Sequence, residues 1–345
     1  MDGRVTFVKN SEWEVHHTSF SGYSRLMKFV PAPRGAVDGT TWSDSRIGYV
    51  LRSVNGLVRM WPQHFRFELS EAELSRKTKG IVHHLYGETT CFLSPFFAAG
   101  RTVATFHLPP GDLQHIQSRL WKLPAKWLAA AIALSNRQAA FLRETLGIRV
   151  EFIPHGVDVQ AVRERLPERP TDGTSRHCVF VGKYLRDFEA LEWAVRGLEP
   201  GTTVSVLSST METARLRDRL QKDPTKAKIV FHDRVSDAEF LNLLGNADVF
   251  LLALRDGTAN NALLEAMAAG LAVVSFGSYH PDDYLPREAR CFNRDGVQAA
   301  NEVEDLFCNS RRLAEMQASS RSRAESLDWS RVVPQLLQLY DSIGP

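Results

Sequence analysis

Asp256-Gly-Thr-Ala-Asn-Asn-Ala-Leu-Leu-Glu265-Ala-Met-Ala-Ala-Gly270-Leu-Ala-Val-Val-Ser-Phe276 reads as a loop, a short helix and a buried strand, with polar groups gathered at the helix start. Thr258 stands where a capping side chain is needed. Leu263, Leu264 and Met267 recur at helical spacing, and Gly270 stops the helix before a β-branched run. Glu265 follows Asn261 by four residues and Thr258 by seven, so the three share one face. The preceding run Ala247–Leu254 is apolar throughout, as in a strand covered on both sides of a parallel sheet. In such βαβ units ligands sit beyond the carboxyl ends of the strands, and open amides at a helix start attract phosphate. Residues 255–261 occupy that position, which predicts a site for a phosphate-bearing ligand.

Working outward, residues 171–345 carry apolar runs at 178–181, 203–207, 228–231, 247–254 and 271–276 with helical stretches between them, one opened by the capping box Ser236–Glu239. This pattern predicts a Rossmann-like sheet. It lacks GxGxxG, which removes the main support for a dinucleotide oxidoreductase. The polar, proline-containing stretch 166–175 separates it from a first half that has its own strand and helix signals. A chain of 345 residues suits two domains. Up to residue 170 there are 22 basic and 15 acidic side chains, and after it 20 and 25, so a total of +2 conceals halves of +7 and −5.

At the quoted residues the chain resembles the retaining glycosyltransferases of the GT-B fold, family GT4. The family signature places two glutamates eight positions apart around a glycine-containing loop and an LLEAMA-like helix. Glu265 matches the second, and the resemblance gives it the ribose hydroxyls. The first falls on Gly257, with Asp256 one position earlier as the carboxylate nearest to its place. Asp256 with Thr258, Ala259, Asn260 and Asn261 is then assigned to the donor sugar and its phosphates.

In Val179-Phe-Val-Gly182-Lys183-Tyr-Leu-Arg186, Lys183 matches the arginine of the family's diphosphate clamp. Arg186 arrives two or three residues early for its lysine. Fixed cations there meet the charge that grows on a departing diphosphate. His107, after the strand-like Arg101–Phe106, matches the histidine beside the transferred sugar, and His83 and His84 also stand near a strand end. Gly22 stands in a possible N-terminal loop where the family keeps a glycine close to its substrates. Ser135 with Gln138 fits a capping box, and Pro154-His-Gly-Val-Asp158 resembles the turn that leads into the interdomain linker.

The resemblance implies an α/β protein of GT-B type, with two Rossmann-like domains facing across a cleft. The expected boundaries are 1–168 for the acceptor-side domain, 172–328 for the donor domain, and a final helix over 329–345 crossing back to the first. It also implies retention without a protein nucleophile. Without any DxD pair the chemistry is expected to be metal-independent, and no cofactor beyond the nucleoside-diphosphate sugar is expected. The partners are that donor and a glycan, lipid-linked or small-molecule acceptor. A nucleotide-sugar epimerase and an inactive nucleotide-sugar binder share the architecture as alternatives.

Four widely spaced cysteines suit reduced thiols. The absence of a long apolar run predicts a cytoplasmic protein, while the basic, aromatic segment 119–131 would suit peripheral contact with an anionic membrane. Near-neutral total charge gives nucleic-acid binding no support.

Overall fold

A computed structural model describes residues 5–9, 18–31, 33, 35–38, 79–91, 94–113, 125–168 and 175–344. The chain divides into two compact units. Residues 1–17, 22–156 and 329–345 form the first, and residues 18–21 with 157–328 form the second.

The first unit contains a parallel sheet built from β1 (Val5–Lys9), β2 (Gly35–Asp38), β3 (Ile81–His84), β4 (Thr102–Phe106), β5 (Leu128–Ala133) and β6 (Val150–Phe152). Their order is β2-β1-β3-β4-β5-β6, so the direction of winding reverses between β1 and β3. β5 lies in the segment considered above for membrane contact. Five of its six residues are buried, so the apolar character of 128–133 belongs to the sheet. Trp127 beside it is 50% exposed, and residues 119–124 lie outside the described residues, as do Trp42, Trp61, Phe65 and Phe67.

The second unit holds β7 (His177–Val181), β8 (Thr203–Leu207), β9 (Lys228–His232), β10 (Val249–Leu254), β11 (Ala272–Gly277) and β12 (Arg290–Asn293), in the order β12-β11-β10-β7-β8-β9. All pairings are parallel. Every residue of β10 and β11 is buried, because helices cover both faces. Val249, Leu251 and Ala253 enter one core cluster, and Phe250, Leu252 and Leu254 the other, as the two-residue repeat of a strand requires. Edge strand β12 is mostly exposed and spelled Arg-Cys-Phe-Asn, which is why no apolar run announces it.

The first unit ends at Gly156, earlier than the boundary at 168 read from composition. The reason is the helix Val159–Arg163, whose Val159, Ala161 and Val162 join a core cluster with Leu263, Leu264 and Met267. The polar stretch is therefore internal to the second unit. The closing helix Trp329–Ile343 belongs to the first unit, where Tyr340 Oη lies 2.6 Å from His83 Nδ1 and Arg149 donates to Ser342 Oγ at 2.8 Å. Its buried face is Trp329, Val332, Val333, Leu336, Leu339 and Tyr340, while Leu337 is only half-buried.

Trp329 packs directly on Gly156, where an added Cβ would stand 2.4 Å from the indole Cδ2. Gly156→Ala is expected to displace the buried ring at a cost of about 1–3 kcal/mol. A urea-unfolding midpoint equal to that of the wild type would refute this.

Candidate functional site

Strand order in the second sheet runs outward through β8 and β9 on one side and β11 and β12 on the other, so the reversal lies between β7 and β10. Open α/β sheets bind ligands at such switch points, beyond the strands' carboxyl ends. The two loops leaving this point are Gly182–Asp187 and Arg255–Asn260, and they are joined to each other. Arg255 donates its amide to Leu185 O at 2.9 Å, and Asp187 donates to Ala253 O at 3.1 Å. Arg186 Nη2 reaches Asn260 Oδ1 at 3.4 Å.

Arg186 is buried, and its guanidinium also donates to Val181 O at 2.8 Å and Tyr184 O at 3.2 Å. Burial lowers its pKa to about 10, which leaves it cationic at neutral pH. Part of its hydrogen-bonding capacity is thus spent on the loop itself, while Lys183 is exposed. Gly182 adopts φ +110°, and the guanidinium lies against the space where a Cβ would be. That close approach requires glycine.

The helix Asn261–Ala269 is capped by Asn260, whose Oδ1 accepts from the Leu263 amide at 3.1 Å. The expectation that Thr258 caps it is corrected, because Thr258 lies two residues before the cap and is itself buried. Asp256 Oδ1 accepts from the next residue's amide at 2.7 Å and so shapes its own turn. Ala259, Asn260 and Asn261 are half-buried at the helix tip, where the first-turn amides lack intrahelical acceptors. Gly270 closes the helix in the left-handed region at φ 82°, as read from the sequence.

Glu265 is buried in this helix, and its environment involves the short N-terminal piece 18–21. Thr18 Oγ1 donates to Glu265 Oε1 at 3.0 Å, and the Ser21 hydroxyl also bonds the carboxylate. Burial raises its pKa to about 7, while the Ser21 and Thr18 bonds lower it and Asp237 raises it. Asp237 in turn accepts from Ser19 N at 2.9 Å and from Ser19 Oγ at 2.6 Å. Sequence reasoning did not single out Thr18 or Ser21. Two hydroxyl residues far upstream carry no local signal of their partner.

His107 and Gly22 belong to the first unit. Gly22 has φ 94° and starts the 3-10 turn Tyr23–Lys28, which is a conformational reason for glycine there. His107 Nε2 lies 2.8 Å from Leu85 O and therefore carries a proton. Its ring is stacked on Tyr86 at 4.6 Å between centroids and meets the edge of Tyr23 at 4.8 Å. His83 is fully buried with both ring nitrogens engaged, Nδ1 at 2.6 Å from Tyr340 Oη and Nε2 at 2.7 Å from Thr105 Oγ1. It is a core hydrogen-bonding residue with no nitrogen left for a metal. Among the described residues no group of three or more His, Cys, Asp or Glu side chains is gathered as a metal site. The capping box read at Ser135 is half present: Ser135 Oγ accepts from Gln138 N at 3.1 Å, but the Gln138 side chain accepts from Leu134 N.

These buried groups oppose each other in pH. Burial raises the pKa of Glu88 and Glu265 from 4.5 to about 7, so the folded chain holds protons that the unfolded chain has lost and stability falls as pH rises through that window. Burial lowers His83 and His84 from 6.5 to about 3, so stability falls as pH drops between those values. Each group contributes about 1.4 kcal/mol per pH unit within its window. The Glu265→Gln variant, which cannot ionise, is therefore expected to lose less stability than the wild type between pH 5 and pH 8. Identical losses in thermal midpoint would contradict the raised pKa.

Residues 175–309 match the sequence profile of the family described as Glycosyl transferases group 1. No curated protein matches the sequence. Among solved structures, HepE of Anabaena in complex with UDP superposes with a TM-score of 0.71 at 12% identity, covering 99% of this chain and 100% of that one. Sucrose-phosphate synthase of Thermosynechococcus elongatus superposes with a TM-score of 0.69 at 16% identity, covering 99% of each chain. The chain has the GT-B fold. A further HepE structure holds UDP-glucose. No helix among the described residues is long and apolar enough to cross a membrane.

Proposed function

We propose that this protein is a retaining, metal-independent glycosyltransferase that moves a sugar from a nucleoside-diphosphate sugar to an acceptor hydroxyl. The observation that carries the reading is the joining of the Arg186 and Asn260 loops at the switch point of the second sheet, within the stretch that matches group 1 glycosyltransferases. The UDP and UDP-glucose held by HepE support a nucleotide-sugar donor.

In this reading the ribose hydroxyls donate to the Glu265 carboxylate. Lys183 and the tip of the helix Asn261–Ala269 receive the diphosphate, with Arg186 adding positive charge from within the loop. Asp256, Thr258 and Ala259 line the sugar–phosphate end, His107 accompanies the transferred sugar, and Gly22 permits close approach of the chain. As the bond between the anomeric carbon and the phosphate oxygen breaks, the acceptor oxygen bonds to that carbon on the same face. Its proton passes to a phosphate oxygen. The cations and helix amides stabilise the charge left on the diphosphate, more in the transition state than in the bound donor.

Gly257, at the place of the family's first glutamate, favours a second reading: a nucleotide-sugar binder without turnover. Incubation with a panel of UDP-, GDP- and ADP-sugars, with and without EDTA, separates the two. Release of nucleoside diphosphate unaffected by EDTA supports transfer or hydrolysis. Thermal stabilisation without release supports binding alone, and an altered sugar would indicate epimerisation. A response to none of the donors refutes both readings.

A further inference from the structure

The first sheet reverses its winding between β1 and β3, and the turn leaving β3 carries a residue to which the reading above gives no role. Glu88, on the single helical turn Gly87–Thr90, is buried beside the end of β4. Its Oε1 accepts from the amide of His107 at 2.9 Å and from that of Leu108 at 3.1 Å. Its other oxygen, Oε2, is buried and has no hydrogen-bond partner among the described residues. From the opposite side Gln138 Nε2 donates to Phe106 O at 3.1 Å and Leu108 O at 2.7 Å, while its Oε1 accepts from Leu134 N at 2.7 Å. Backbone groups on both sides of His107 are thereby tied to two side chains from separate elements. The ring itself is fixed by Leu85 O, which can only accept, so Nε2 carries a proton.

Such an arrangement is more than a turn needs. Amides at a strand end are commonly met by water at little cost, whereas a buried carboxylate with one oxygen unpartnered carries a desolvation penalty. That penalty is visible in the rise of the Glu88 pKa to about 7. We propose that Glu88 is the positioning residue for His107, with Gln138 as its counterpart, and that together they hold the imidazole in one orientation and one tautomer. This rests on the assignment of His107 to the transferred sugar. The work is geometric: Oε1 alone makes both bonds, so a neutral oxygen in the same place performs it. Orientation held within a fraction of an ångström is worth orders of magnitude in a group-transfer rate.

The test compares Glu88→Ala and Glu88→Gln in the full chain. Two readouts are taken: nucleoside diphosphate release at saturating UDP-sugar, and the 15N imidazole spectrum of His107, assigned by its disappearance in His107→Gln. Glu88→Ala is expected to lower kcat at least about tenfold with the donor KM within about twofold, and to abolish the single Nε2-protonated pattern. Glu88→Gln is expected to restore the pattern and most of the rate. If Glu88→Ala does not fold, Glu88→Asp replaces it, since the shorter arm keeps the charge but withdraws the oxygen. An unchanged rate and spectrum in Glu88→Ala or Glu88→Asp would overturn the proposal. So would a Glu88→Gln as slow as Glu88→Ala with the ring still held, because the charge would then matter rather than the clamp. Should the wild type consume no nucleotide sugar, the functional reading fails while the His107 spectrum still decides whether Glu88 positions it.

Discussion

Glu265→Ala is expected to weaken the binding of UDP, or whichever nucleoside diphosphate the donor panel selects, by about two orders of magnitude. A carboxylate that accepts from two ribose hydroxyls makes two charge-assisted bonds, and losing them costs about 3 kcal/mol. The structure sharpens this expectation, because Oε1 of Glu265 is engaged by Thr18 and the carboxylate also by Ser21. Ribose must replace those hydroxyls or share the carboxylate with them. Thr18→Val is the informative companion: it removes a competing donor from Glu265 while leaving the carboxylate in place. Tighter binding in Thr18→Val together with weaker binding in Glu265→Ala, measured by calorimetry, is the expected pair of results. Unchanged affinity in Glu265→Ala would remove the ribose from this residue.

Gly182→Ala is expected to cost about 3 kcal/mol of stability and most of the nucleotide affinity, although residue 182 is given no contact with the ligand. The backbone there has φ +110°, which strains any residue with a Cβ. The new atom would also lie 2.3 Å from Arg186 Nη2 and 2.7 Å from Cζ. A flexible arginine tip would ordinarily swing away. This one is buried and tied to Val181 O, Tyr184 O and Asn260 Oδ1, so moving it breaks bonds in both loops. Arg186→Lys is expected to be a partial loss, since a lysine keeps the charge but cannot reach three acceptors with a planar fork. A thermal midpoint for Gly182→Ala equal to the wild type would show that the loop yields freely and would dissolve the argument.

The second unit was readable in the sequence because its signals are local. β10 and β11 are covered on both faces, so their sequences are unbroken apolar runs, and Ser236 with Glu239 spells a capping box that the structure contains in full. Gly270 ends its helix as written. Elsewhere local signals misled. Thr258 is a good capping residue type, but Asn260 two positions later takes the role because its carbonyl oxygen reaches Leu263. Composition placed the domain boundary in the polar stretch at 166–175, whereas packing of Val159–Val162 on the helix Asn261–Ala269 sets it at 156.

What the sequence withheld depends on partners distant along the chain. Thr18 lies 247 positions from Glu265, and Glu88 lies 19 from His107. Neither pairing has a spacing rule that could reveal it. The sequence offered Arg186 as a candidate cation for the phosphates, but its part as a brace of the loop was not legible, since its hydrogen bonds run to carbonyls and to a loop that only the sheet order brings beside it.

Where the nucleoside diphosphate lies is decided by a crystal structure of the protein soaked with UDP. Phosphate oxygens are expected at the amides of residues 258–261 and near Lys183, with the ribose hydroxyls on Glu265 and the Thr18 bond displaced or shared. Density for the nucleotide elsewhere on the second unit, with Glu265 still bound only by Thr18 and Ser21, would contradict this placement.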